Sequence, residues 1–135
     1  MANEAVIIEL LGNGGDPIRY TVADGTGIEK GTLMYLSGDP RTIAASSAEG
    51  QIFVGIAAAE KVADDGSTTL AVYTNGIFDL TDSGAGMTLG DICKLGGANT
   101  VATADEAGAQ DLKEVVGTVL ETAAAAEVVA VRILK

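Results

Sequence analysis

Short β-rich segments, each bounded by a turn that contains glycine, follow one another along almost the whole chain. Of the 135 residues, 18 are glycine, and glycine supplies the positive φ angles that tight turns require. Asn75-Gly76 lies between Val72-Tyr73-Thr74 and Ile77-Phe78 and is typical of a two-residue β-hairpin. We therefore predict an all-β fold, a small β-barrel or β-sandwich, with at most one short helix near residues 103–114.

The second half of the chain repeats the order of motifs in the first half. Three pairs of segments carry the similarity: residues 31–44 with 90–102, 54–56 with 116–118, and 70–73 with 129–132. This order predicts an internal pseudo-repeat of two similar β units, each burying one face against the other. The alternative is that glycine-punctuated hairpins resemble one another without duplication.

The N-terminal segment, residues 1–17, differs from the body of the chain. Ala5–Leu11 is apolar apart from Glu9, and a glycine-rich joint separates it from residues 18–135, which we take as one β-barrel domain. The segment is either the first strand of the barrel or an arm that adds as a strand to a neighbouring protein. It has neither a basic start nor a long apolar run, so we expect no signal peptide and no membrane span.

The charge balance restricts the partners. Nineteen acidic and 8 basic residues give a net charge of -11, and such a field repels phosphate groups and anionic lipids. We therefore expect no direct nucleic-acid partner and no membrane partner.

Residue types that are common in catalytic and metal-binding sites are scarce. Histidine is absent and Cys93 is the single cysteine, so the usual general base and the usual zinc ligands are missing. Residues 25–32 have the composition of a phosphate-binding loop but the wrong order, and a strand rather than a helix follows. Carboxylates lie close together in predicted turns without the spacing of a calcium loop: Asp64-Asp65, Asp79 with Asp82, and Asp105-Glu106. We expect no enzyme activity, no cofactor and no metal, and a buried Cys93.

An ordered set of short motifs covers most of the chain. Its members are Ile18–Ala23, Ile28–Leu33, Asp39–Thr42, Phe53–Ala58, Val72–Phe78, Leu89–Asp91, Val116-Gly117 and a closing valine-rich strand. The set resembles the capsid decoration, or cement, proteins of tailed phages and related viruses. The long apolar start and the alanine run Ala123–Ala126 have no counterpart in this pattern.

The resemblance implies a β-barrel-like protein that is made in the host cytoplasm and forms a homotrimer on the outer capsid surface of the virion. There it would clamp major capsid protein subunits against the pressure of packaged DNA. Capsid contacts are expected in the N-terminal arm, at Glu4, Val6, Ile7, Ile8, Leu10 and Leu11.

The sequence is also compatible with two other classes of protein. One is a different structural virion component, such as a tail or fibre-base protein. The other is a cellular β-barrel carrier of the biotinyl or lipoyl type, which requires a lysine at an exposed hairpin tip. The nearest candidate, Lys94, lies inside a predicted strand.

Overall fold

Eleven β-strands and one 3₁₀ helix form the part of the chain that the computed structural model describes, residues 3–9, 17–104 and 109–135. The strands are β1 (Val6–Glu9), β2 (Ile18–Thr21), β3 (Leu33–Leu36), β4 (Ile43–Ala45), β5 (Phe53–Ala57), β6 (Thr69–Tyr73), β7 (Asn75–Thr81), β8 (Ile92–Gly97), β9 (Thr100–Thr103), β10 (Val115–Val119) and β11 (Val128–Leu134). The 3₁₀ helix, Ala109–Glu114, precedes β10. The all-β prediction is confirmed, and the short helix falls within the predicted range.

The strands form two antiparallel sheets. The first sheet has the order β2-β6-β5-β3-β4, and the second has the order β1-β7-β11-β10-β8-β9. No continuous ladder joins the described strands of one sheet to those of the other. Of the two predicted architectures, the structure therefore corresponds to the sandwich rather than to a closed barrel.

The buried side chains explain how the two sheets hold together. The larger apolar cluster combines residues of the second sheet, such as Phe78 and Val131, with Leu33, Phe53 and Ile56 of the first. A smaller cluster belongs to the first sheet and its loops: Val22, Ile28, Met34, Ile43, Val54, Ala57, Leu70 and Val72. Successive side chains of a strand point to opposite faces, so Leu33 enters the shared core while Met34 enters the smaller one. The centre of the first sheet is consequently buried on both faces, since every residue of β5 is buried.

The predicted pseudo-repeat is visible in the strand order. If β2, β3, β4, β5 and β6 are matched with β7, β8, β9, β10 and β11, both sheets have the same order, with β1 added at the β7 edge of the second. We call residues 18–73 the first unit and residues 75–134 the second unit. Backbone hydrogen bonds repeat as well, because Gly31 N donates to Ala57 O and Gly90 N donates to Val119 O, both at 2.9 Å.

The prediction of a β-hairpin at Asn75-Gly76 is wrong. Both residues are buried and belong to β7, where they pair with β11, while the preceding strand β6 belongs to the other sheet. The chain thus crosses from the first unit to the second at Thr74. The Asn75 side chain is fixed inside the protein, since its Oδ1 accepts a hydrogen bond from Arg132 Nη2 at 2.9 Å.

The N-terminal segment connects the two units. β1 pairs with β7 of the second unit, and Ala5 N just before it donates to Gly31 O of the first unit at 2.6 Å. Ala5 and Ile7 also pack against the shared core. Most of the predicted glycine-rich joint lies outside the described residues.

Candidate interaction surface

The N-terminal residues singled out in the sequence divide into two groups. Val6 and Ile8 are 57% and 54% exposed, whereas Glu4 and Ile7 are half-buried and Ile7 packs against the shared core. This alternation follows from the strand, which sends successive side chains to opposite faces. Leu10 and Leu11 lie outside the described residues.

Val6 and Ile8 belong to a larger surface, which we call the outer face: the side of the second sheet that points away from the shared core. Its exposed apolar side chains are Val6, Ile8, Ile92, Leu120 and Val128, and its polar side chains include Asp79, Thr118 and Arg132. Around Thr118, which pairs with both Ile92 and Arg132, the surface forms a shallow groove of about 400 Å³. Clusters of exposed apolar side chains commonly mark surfaces that bind other molecules.

The pseudo-repeat explains why this surface is unusual. Ile92, Thr118 and Arg132 of the second unit correspond to Leu33, Ile56 and Tyr73 of the first unit. The three first-unit residues pack against the shared core, and Leu33 and Ile56 are only 1% exposed. The surface that one unit buries inside the chain is therefore open to solvent on the other.

Asp79 and Glu121 make the outer face acidic at one place. Asp79 was predicted in a turn, but it lies in the middle of β7. Partial burial, together with the nearby Glu121 carboxylate, raises the pKa of Asp79 above its usual value. Glu121 is held in place because its Oε1 accepts a hydrogen bond from Ala130 N at 3.0 Å.

Lys94 lies within β8, as the sequence indicated. Its Nζ is 3.9 Å from Glu49 Oε2 and 4.0 Å from Glu114 Oε2, and its side chain is only 16% exposed. A carrier lysine has to extend from a hairpin tip, so this geometry does not fit the carrier class.

An ion-pair cluster that the sequence did not predict joins loops of the first unit, with a buried Lys61 and two partly exposed aspartates. Lys61 Nζ donates to Asp24 O at 2.8 Å, Asp24 Oδ1 at 3.2 Å, Val62 O at 3.0 Å and Asp65 Oδ1 at 3.0 Å. The Ser67 N–H and the Lys61 ammonium lower the pKa of Asp65. Since each donor of the ammonium is used within the chain, Lys61 acts as a structural link between loops.

The remaining candidates for chemistry that the structure describes do not assemble into a site. Cys93 is fully buried, as predicted, and burial raises the pKa of its thiol to about 12, so the reactive thiolate is scarce at neutral pH. Asp82 Oδ2 accepts from the N–H groups of Gly86 and Ala126, and Asp105-Glu106 lies outside the described residues. Among the described residues, no group of three or more potential ligands could hold a metal ion. The same residues include no helix that could cross a lipid bilayer.

A family model and a solved structure each match this chain. The family model for phage cement protein matches residues 12–133. The crystal structure of the head fibre gp8.5 N base of bacteriophage phi29 is similar in fold, with a TM-score of 0.55 and 21% sequence identity over 87% of this chain and 93% of that chain. A comparison with curated proteins gives no match.

Proposed function

Because the chain belongs to the phage cement protein family, we propose that it binds the outer surface of a phage capsid and clamps neighbouring major capsid protein subunits. As a phage cement protein it is a structural component of the virion. The observation that carries the proposal is the family match over residues 12–133, which spans both units. The exposed apolar outer face supports it, since a clamp needs a surface for its partner and requires no catalytic centre.

A clamp of this kind must resist the outward pressure of packaged DNA while remaining soluble before attachment. The two-unit core provides rigidity, and the net charge of -11 opposes aggregation after synthesis in the host cytoplasm. We propose that the chain acts as a homotrimer, because three linked copies raise the effective concentration of each contact and convert modest affinities into tight attachment.

The capsid contact is proposed at the N-terminal edge of the outer face. Val6 and Ile8 supply exposed apolar side chains there, and their backbone is fixed by the pairing of β1 with β7. Glu4 and Ile7 are half-buried and position the strand. Leu10 and Leu11 stay predicted contacts from the sequence.

Replacing Val6 and Ile8 with serine is expected to weaken capsid binding by on the order of 100-fold or more. Burying each aliphatic side chain contributes about 1.5 to 3 kcal/mol, and both side chains point away from the core, so the fold should be retained. Binding is measured by co-sedimentation of the purified protein with undecorated capsids across a range of protein concentrations.

The matched control replaces two apolar residues elsewhere that are somewhat more exposed, Val62 and Leu89, with serine; these are 66% and 64% exposed. This control variant should bind capsids like the unchanged protein. A V6S/I8S variant that remains folded and still binds with unchanged affinity would show that the capsid contact lies elsewhere.

A fibre-base protein is the alternative with a specific observation in its favour, the fold shared with a head-fibre N base. The likeness concerns the fold alone. The two functions differ in copy number, because a cement protein occupies repeated positions over the capsid lattice, whereas a fibre base occupies the attachment points of fibres. The number of copies bound per capsid at saturation therefore separates them.

A further inference from the structure

Two equivalent positions in the two units carry opposite charges. Arg19 of β2 pairs with Ala71 of β6, and Asp79 of β7 pairs with Ala130 of β11. Since these strand pairs correspond in the pseudo-repeat, Arg19 and Asp79 occupy the same place in their respective units. The same strand position therefore carries a basic side chain in the first unit and an acidic side chain in the second.

Arg19 forms a basic patch with Arg41, and we call the two residues the basic edge. Both side chains are exposed, and Arg41 Nη2 donates to Arg19 O at 3.0 Å. The two residues therefore meet where the edge strand β2 of the first sheet approaches the turn before its other edge strand, β4. They line a groove of about 270 Å³ together with Tyr20, Thr21 and Thr69. Neither guanidinium forms an ion pair with a carboxylate of the described residues.

The turn that contains Arg41 corresponds to a turn of the second unit that contacts the first unit. Arg41 and Asn99 occupy corresponding turns, between β3 and β4 and between β8 and β9, and both have a left-handed backbone, with φ of 52° and 54°. Asn99 is buried where the second unit meets the first, and its Oδ1 accepts from Leu33 N at 2.7 Å. The equivalent turn of the first unit lies at the surface, where a second molecule can reach it.

Asp79 and Glu121 provide the opposite charge on the outer face, and we call them the acidic pair. Neither carboxylate forms an ion pair with a cation of the described residues. Leu120 and Val128, which lie near the acidic pair in the register of the sheet, are 40% and 56% exposed. The patch thus combines uncompensated negative charge with apolar surface, a combination that favours an arginine-bearing partner.

We propose that the basic edge of one copy binds the acidic pair of the next copy of this chain. Arginine forms strong, directional hydrogen bonds with carboxylates, and the contact would offset the repulsion between chains that each carry a net charge of -11. A contact that joins two different surfaces is head-to-tail and produces a ring when the rotation closes. The inference rests on the homotrimer proposed above and identifies its interface.

Charge reversal tests this interface in solution, without capsids. The unchanged protein, R19E/R41E, D79R/E121R and the fourfold variant that combines both reversals are compared by sedimentation equilibrium at low salt. Each double variant sets like charges against each other and should associate at least about tenfold more weakly. The fourfold variant restores unlike pairs at every contact and should again form the oligomer of the unchanged protein.

The control K30E/K113E reverses two other exposed basic residues and changes the net charge by the same amount as R19E/R41E. It should remain oligomeric, and circular dichroism establishes that each variant is folded. If a charge reversal unfolds the chain, R19Q/R41Q is used instead, because it removes the two positive charges without introducing negative ones. The oligomer of this variant should also dissociate.

An R19E/R41E protein that associates like the unchanged protein, or a folded fourfold variant that stays monomeric, would overturn the assignment of this interface while leaving the trimer intact. Unchanged protein that is monomeric at every concentration would overturn the trimer and its interface together. This test uses no capsids, so its failure is distinguishable from failure of the proposed function. Because Val6 of the proposed capsid contact pairs with Asp79, the V6S/I8S variant is also examined by sedimentation equilibrium, where it should remain oligomeric although it binds capsids weakly.

Discussion

Replacing Gly117 with alanine is expected to cause a large loss of stability. A Cβ atom at this position would overlap the carbonyl oxygen of Arg132 and lie 3.1 Å from Cα of Ile133. Both atoms belong to the backbone of β11, which pairs with β10 at this point, so they cannot move away without breaking the ladder. Overpacking costs about 1 to 3 kcal/mol when side chains can adjust; here we expect about 3 kcal/mol or more, against a total stability of about 5 to 15 kcal/mol.

The effect is measured as the free energy of unfolding in urea. Alanine variants of two further glycines serve as comparisons. Gly55 is the equivalent residue of the first unit, and a Cβ there would lie 2.5 Å from the carbonyl oxygen of Tyr73, so Gly55→Ala should be similarly damaging. Gly38 has no atom within 4 Å of an added Cβ, and Gly38→Ala should change stability by less than about 0.5 kcal/mol. A G117A protein within about 1 kcal/mol of the unchanged one would contradict the close approach of β10 and β11.

Asn99→Ala should produce the second large loss of stability. The Asn99 side chain joins separate parts of the chain, since its Oδ1 accepts from Leu33 N and its Nδ2 donates to Asn3 O, both at 2.7 Å. Alanine would leave the buried Leu33 N–H without a partner, which costs about 1 to 3 kcal/mol. It would also have to adopt a φ of 54°, which asparagine tolerates better than alanine. We expect a total loss of about 3 kcal/mol.

Comparison with Asn99→Gly separates the two contributions, because glycine adopts the left-handed conformation readily but also lacks the side chain. In urea unfolding, N99G should be less stable than the unchanged protein and more stable than N99A. Equal stability of N99A and the unchanged protein would show that Asn99 does not hold the two units together.

The strand content and the pseudo-repeat could be predicted because both produce patterns among residues that are close together in the sequence. Glycines at the turns and alternating apolar residues specify short strands, and repeated spacing reveals the two units. The Asn75-Gly76 prediction failed because hairpin propensity is a local signal, whereas the chain at this point passes from one sheet to the other. Burial of Asn75 and its bond to Arg132 depend on a residue 57 positions away.

The candidate surface was predictable only in part. The apolar character of Val6 and Ile8 is evident in the sequence, and an alternating strand places them on one face. Which face remains uncovered depends on how the units pack, and Asn99 contacts Leu33 across 66 positions of sequence. The Lys61 cluster was missed for the same reason, because its Asp24 partner lies 37 positions away.

The measurement that tests the clamp most directly follows undecorated, DNA-filled capsids with and without the purified protein. We predict saturable co-sedimentation at a copy number set by the capsid lattice, together with a higher temperature of DNA release from the decorated capsids. No protein in the pellet at saturating concentration in any salt, or binding without a change in the release temperature, would contradict the clamp.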